Sequence, residues 1–148
     1  MVLNASKTKS IVFGSKHSVR PKPQLELWIK GVTIEQIEEA KLLGIALDGQ
    51  LSWSSHVDKV VVKMGRGMSV IKIFSAFLTQ KSTVLVVQAL VLSHIDYCPV
   101  IWSSAAKQYL AKMHLAQNRA ARLALNCTNR TNINNMHASL SWLRVEER

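Results

Sequence analysis

His94-Ile95-Asp96, inside the stretch SHIDYCPVIW at residues 93–102, sets two metal-binding side-chain types two positions apart, and His114 and His137 lie downstream. Two imidazoles and one carboxylate are the ligand set of a non-haem iron centre. That chemistry needs the His-x-Asp step on a rigid strand, with a distant histidine brought beside it. Here the step ends an apolar run with helical spacing. A second His-x-Asp, His56-Val57-Asp58, opens another helical pattern. Two occurrences in one chain mark the pattern as weakly specific. The plainer reading gives Asp58 to a helix N-terminus and has His94 and Asp96 pin a helix end or its turn.

Other chemistries have less behind them. Cys98 and Cys127 lack zinc-ligand spacing. Gly65-Arg66-Gly67 lacks the spacing and the Lys-Ser/Thr of a phosphate loop. No Gly-x-Ser-x-Gly elbow occurs, which sets an esterase-type hydrolase aside. Glu38-Glu39 and Glu146-Glu147 lie in polar segments and read as surface.

Charge carries the strongest signal. The chain has 148 residues and a formal net charge of +10. Between residues 59 and 145 there are eleven Lys or Arg and a single acid, Asp96, whereas the first 47 residues balance seven bases against four acids. A basic half suits phosphate or an anionic surface. With two cysteines, a disulfide scaffold is not expected, and a reducing compartment is. The opening MVLNASKTKS has no apolar core segment. The longest apolar run, residues 84–92, is interrupted by Gln88 and is far too short to span a bilayer. An intracellular protein, of cytoplasm or nucleus and without a membrane partner, is the expectation.

The elements that must position these residues fall into two regions, 1–50 and 54–148. In the first, residues 10–14 (SIVFG) predict a short strand and 15–23 a basic, proline-broken loop. Residues 24–34 alternate Leu25, Leu27 and Ile29 with Glu26, Trp28 and Lys30, which predicts a hairpin turning at Gly31. Residues 35–41 read as a helical turn or bulged loop. Residues 42–48 form another strand, closed by Asp48-Gly49.

From Ser54 the period changes. Val57, Val60, Val61, Met64, Met68, Ile71 and Phe74 make one helical face, with Ser55-x-x-Asp58 resembling a capping box. Gly65 and Gly67 each weaken that helix by roughly 1 kcal/mol, so close packing or a bend is expected there. A second helix, residues 81–95, is apolar nearly all round and reads as a buried middle member. A third, residues 105–125, buries Ala106, Tyr109, Leu110, Met113, Ala116, Ala120 and Ala124. Its other side carries Gln108, Lys112, Arg119, Arg122 and Asn126 in a narrow sector. A last helix is expected over residues 135–148. The fold class is therefore α+β: short N-terminal strands, then a basic three- to four-helix bundle. Lys112, Arg119 and Arg122, with Lys59, Lys63 and Arg66 from the first helix, are the candidate phosphate contacts.

The order of motifs resembles the end of the palm and the thumb of a non-LTR (LINE-type) retrotransposon reverse transcriptase. Asn4, Lys7-Thr8 and Phe13-Gly14 resemble the segment after the catalytic aspartate turn. Lys41-Leu42-Leu43-Gly44, Leu47-Asp48, Leu51-Ser52-Trp53 and His56 are similar to the end of the palm. Residues 93–98, then Gln117-Asn118 and Ala120-Ala121-Arg122-Leu123, then Leu140, Trp142-Leu143, Val145 and Arg148 are similar to the thumb and the segment beyond it. Ala5 and Pro99 depart from that pattern.

The resemblance implies a palm remnant and then a thumb that grips an RNA/DNA primer–template duplex, with the missing N-terminal polymerase region as a further partner. It gives Lys7 a contact with an incoming nucleotide's phosphates and Gly44 a place in a primer-grip strand, where glycine lets backbones approach. The parent polymerase would use Mg. No Asp-Asp pair occurs anywhere in this chain, so it is expected to be a truncated or decayed piece that does not polymerise alone, with no cofactor of its own. A non-catalytic interaction module is the alternative. A short region also resembles the N-terminus of AlkB-homologue tRNA-modifying enzymes, yet the residues support neither dioxygenase nor methyltransferase chemistry.

Overall fold

Alternating residues around Lys30-Gly31 make a tight hairpin. In the computed structural model, which describes residues 4–15 and 23–148, β2 (Leu27–Ile29) pairs antiparallel with β3 (Val32–Gln36). Lys30 and Gly31 both have positive φ, 51° and 79°. That is a two-residue turn whose twist matches the strands it joins. β1 (Lys9–Ser10) lies parallel to β3 on its other side, giving the order β1-β3-β2, and Lys9 pairs with Glu35.

A second hairpin joins β4 (Glu39–Leu42) to β5 (Ile45–Asp48). Its turn residues, Leu43 and Gly44, also have positive φ, 47° and 85°. Two expectations are corrected here. Residues 35–41 are neither a helical turn nor a bulge: Glu35 and Gln36 end β3, and Glu39–Leu42 is β4. Pairing with the apolar β5 overrides the weak strand preference of Glu, Ala and Lys. The strand expected at residues 10–14 shrinks to Lys9–Ser10, with only residues 9 and 10 finding partners on β3. Most of the predicted basic loop lies outside the described residues.

After β5 the Asp48 carboxylate organises the chain. It accepts the amides of Gln50 (2.9 Å), Ser52 (3.1 Å) and Trp53 (3.1 Å) and the Ser52 hydroxyl (3.0 Å). Leu51 and Trp53 both take left-handed backbone within this turn. Burial alone would raise the Asp48 pKa, but these donors outweigh it and hold the carboxyl below its usual value.

The chain divides into two compact units, residues 1–55 and 56–148. The helical unit contains most of α1 (Ser54–Phe74), whose Val57, Val60, Met64 and Ile71 are buried. The capping-box residues are used otherwise: Ser55 donates to Glu39, and Asp58 pairs with Lys112. Thr79 caps α2 (Gln80–Val87), accepting the Ser82 amide at 3.2 Å. The helix continues through a π-helical turn (Gln88–Leu92) into α3 (Ser93–Asp96). Only one face of this rod is buried, through Thr83, Val87, Val91, Leu92 and Ile95; Leu85 is 58% and Leu90 47% exposed. The fully buried middle helix expected from composition is therefore an amphipathic one with an apolar outer face. Among the described residues, no helix is long and apolar enough to cross a membrane.

Cys98 takes left-handed backbone and Pro99 then starts the short α4 (Pro99–Trp102), a position where its missing N–H costs nothing. Trp102 is buried, and its indole N–H reaches the Tyr97 carbonyl at 3.2 Å. α5 (Lys107–Leu125) buries Met113, Ala116, Gln117, Ala120, Ala121 and Ala124; Ala106, expected inside, is exposed just before it. α6 (Ile133–Leu140) is capped by Asn132 and closed by Ser141 in left-handed backbone. The helix predicted to reach residue 148 thus stops at Leu140, because the amides of Ser141 and Trp142 turn back to Ala138 and His137.

The two glycines of α1 differ. A Cβ on Gly67 would sit 2.9 Å from the Leu90 carbonyl oxygen and 3.2 Å from the Val91 side chain, whereas one on Gly65 meets open space. Gly67→Ala should therefore destabilise the chain by about 1–3 kcal/mol in urea unfolding. Gly65→Ala should leave it unchanged or up to about 1 kcal/mol more stable. Equal effects of the two substitutions would refute the close approach.

Candidate nucleic-acid interface

α1 presents its basic residues as a stripe. Lys59, Lys63 and Arg66 recur at four- and three-residue steps, and all three are exposed. That spacing puts them on one side of the helix. Val62, Val70 and Ile73 are exposed on the same helix, Ile73 by 72%. Lys63 stands close enough to His56 and His94 to depress both imidazoles, after burial, which is the larger cause for each.

α5 carries the second basic face. Lys112 and Arg119 are exposed. Lys112 is engaged: its ammonium is 2.5 Å from the Asp58 carboxylate and lies 5.5 Å from the centre of the Tyr109 ring. The pair ties α5 to α1 but, being half exposed, contributes little stability. Arg122 is not a surface residue of the same kind. It is half-buried, and its Nε is buried without a hydrogen-bond partner. The narrow sector read from the sequence thus holds one exposed arginine, one paired lysine and one half-buried arginine.

Near the ends of these helices lies an open groove of about 570 Å³. Lys72 and Ser75 at the end of α1, Gln80 and Thr83 of α2, and Asn126 after α5 supply its polar lining.

The other two expected positions lie in the first unit. Lys7 ends a short 3₁₀ turn (Ala5–Lys7) begun by Asn4, whose side chain accepts the Ser6 amide, and is exposed. Gly44 is in the β4–β5 turn and not in a strand. Leu43-Gly44 needs left-handed backbone to reverse the chain there, so no primer-grip strand runs through it.

Composition alone missed a set of polar contacts along α5. The buried Gln117 amide donates to the Leu143 carbonyl at 2.7 Å. Asn118 meets the His137 imidazole at 2.9 Å, and His114 lies 3.1 Å from Glu146. Asp96, from the opening His-x-Asp, pairs with Arg148, whose burial lowers its pKa. These bonds hold residues 137–148 to α5 and α3. The motif residues Gln117-Asn118, Asp96 and Arg148 were visible in the sequence, but only their meeting in space explains why they occur together. Among the described residues, no three His, Cys, Asp or Glu side chains converge as a metal site would require.

Comparison with known proteins agrees with this picture. Probable RNA-directed DNA polymerase from transposon BS, of Drosophila melanogaster, is 30% identical over 125 residues, covering 80% of this chain and 14% of that protein. Probable RNA-directed DNA polymerase from transposon X-element, of the same organism, is 23% identical over 128 residues, covering 84% of this chain and 14% of that protein. The chain therefore spans a small part of the relatives it matches. No protein-family model matches the chain, and no solved structure matches it. The two matches bear out the resemblance to a piece of a non-LTR transposon reverse transcriptase.

The histidines give this unit an acid-sensitive stability. Burial, the largest cause, holds His56, His94 and His137 below the usual 6.5; nearby Lys63 adds to it for the first two and Arg144 for the third. The unfolded chain then binds protons more readily than the folded one. Stability is fully present above about pH 6.5 and is lost as pH falls through the lower folded values. Thermal melts should show Tm falling from pH 7 to pH 5.5, with a shallower fall in His137→Gln. A flat profile over that range would contradict the burial.

Proposed function

We propose that this reverse-transcriptase-related chain is a non-catalytic nucleic-acid gripping piece, descended from the thumb of a transposon polymerase. The observation that carries the reading is the exposed stripe Lys59, Lys63 and Arg66 on α1. It sits in a half of the chain whose only acid between residues 59 and 145 is tied to Arg148. Arg119 adds a second point on α5, and Lys112 a third once it exchanges Asp58 for a phosphate. Such contacts neutralise a backbone without reading bases, so the binding is salt-dependent and weakly sequence-specific.

Catalysis is not part of the proposal. Polymerases of this type clamp two metal ions with aspartates so that the attacking and leaving oxygens are both stabilised. This chain has no adjacent aspartates, and its described residues bring no such cluster together. The residues do not fit a two-metal site, and no step is assigned to one. The second reading, a protein-interaction module, rests on the apolar side chains exposed on the same unit, Ile73, Phe77 and Leu85 among them.

Fluorescence anisotropy with an RNA–DNA duplex separates the two. Log affinity should fall linearly with log salt, and Lys63→Glu/Arg66→Glu/Arg119→Glu should weaken binding by about tenfold or more, reducing the slope by about one per lost phosphate contact. Undiminished binding in that variant favours the interaction module. In primer-extension assays with Mg²⁺ the purified chain should add no nucleotides; extension above background would overturn the non-catalytic assignment.

A further inference from the structure

β2 is an edge strand: in the order β1-β3-β2 it pairs with β3 on one side, and no described strand pairs with the other. Its side chains are open to solvent, with Trp28 59% and Leu27 43% exposed. The strand is also short of the usual protection. It carries no proline between Gln24 and Ile29 and no bulge, and an apolar edge of that kind seeks another strand.

The hairpin fixes which groups the edge offers. Ile29 and Val32 flank a two-residue turn and form its closing hydrogen-bonded pair. Pairs alternate along an antiparallel ladder, so Leu27 and Ile29 spend their backbone groups on β3, and the N–H and C=O of Trp28 point to the free edge. The preceding residues keep to the same course: the Leu25 amide donates to the Gln36 side chain at 2.9 Å.

We propose that this edge pairs antiparallel with the same strand of a second copy of the chain, centred on Trp28. That register places Trp28 opposite Trp28, Leu27 opposite Ile29, and Glu26 opposite Lys30 of the second copy. Glu26 and Lys30 then meet as two symmetry-related opposite-charge pairs, which stabilise a ladder, whereas like charges in those positions oppose it. Moving the centre by one residue to Leu27 would set Glu26 against Trp28 and lose both charge pairs. Twofold symmetry makes the contact self-limiting, since each copy has used its edge.

Sedimentation velocity of the full 148-residue chain at increasing concentration tests this. The expected result is a reversible monomer–dimer equilibrium. Glu26→Lys or Lys30→Glu alone should weaken it by about tenfold or more, because each turns both pairs into like-charge contacts. Glu26→Lys/Lys30→Glu together should restore it. Both positions are exposed, and circular dichroism confirms that each variant keeps its fold. A chain that stays monomeric, a dimer indifferent to the single changes, or a double variant that fails to recover overturns the proposal; in the first case the edge is left for a strand of another protein.

Discussion

The helical unit depends on how closely two backbones can approach. At Gly67 the Leu90 carbonyl lies where any side chain would begin, so α1 meets the π-helical turn with nothing between them. α5 obeys the same rule with Ala116, Ala120, Ala121 and Ala124 buried along one face. Small residues bring the helices close, and a few large ones fill what remains: Met64, Trp102, Met113 and Met136 are all fully buried. Close-packed interiors tolerate little change of volume, which is why a single methyl group matters at one glycine and not at its neighbour two positions away.

Charge is distributed with similar economy. Seven of the nine acids are engaged: Glu35 with Lys9, Glu39 with Ser55, Asp48 in its turn, Asp58 with Lys112, Asp96 with Arg148, Glu146 with His114, and Glu147 with the Arg144 amide. Acid side chains here serve as connectors. With the carboxylates so used, the excess of +10 is expressed mostly by side chains such as Lys63, Arg66 and Arg119 that face water.

Much of the fold was legible because its signals are local. The period of α1, the Lys30-Gly31 hairpin and the start of the helices near Ser54 all arise from residues within a turn or two of each other. What escaped was non-local. Glu39-Ala40-Lys41 has no strand character until β5 lies beside it. The outer face of α2 looks like core because composition cannot say which partners are absent. The basic sector of α5 was read correctly as a direction around the helix, but its accessibility was not, since burying Arg122 and pairing Lys112 depend on α1 and the rest of the unit. The His-x-Asp that first suggests iron is explained by an arginine 52 positions further on.

The π-helical turn at Gln88–Leu92 has a consequence for how such sequences can drift. It accommodates one residue more than an α-helical path would need. Losing any one residue of the turn would let the helix regularise, with every backbone bond still made locally. The cost would appear further along. Each residue is worth about 100° of rotation, so Ile95 would swing out of the core and Asp96 away from Arg148. A one-codon deletion there would be silent to local propensity and disruptive to tertiary structure. Length at this point of the helix is therefore constrained more tightly than residue identity, and relatives should vary in composition across the turn while conserving its count.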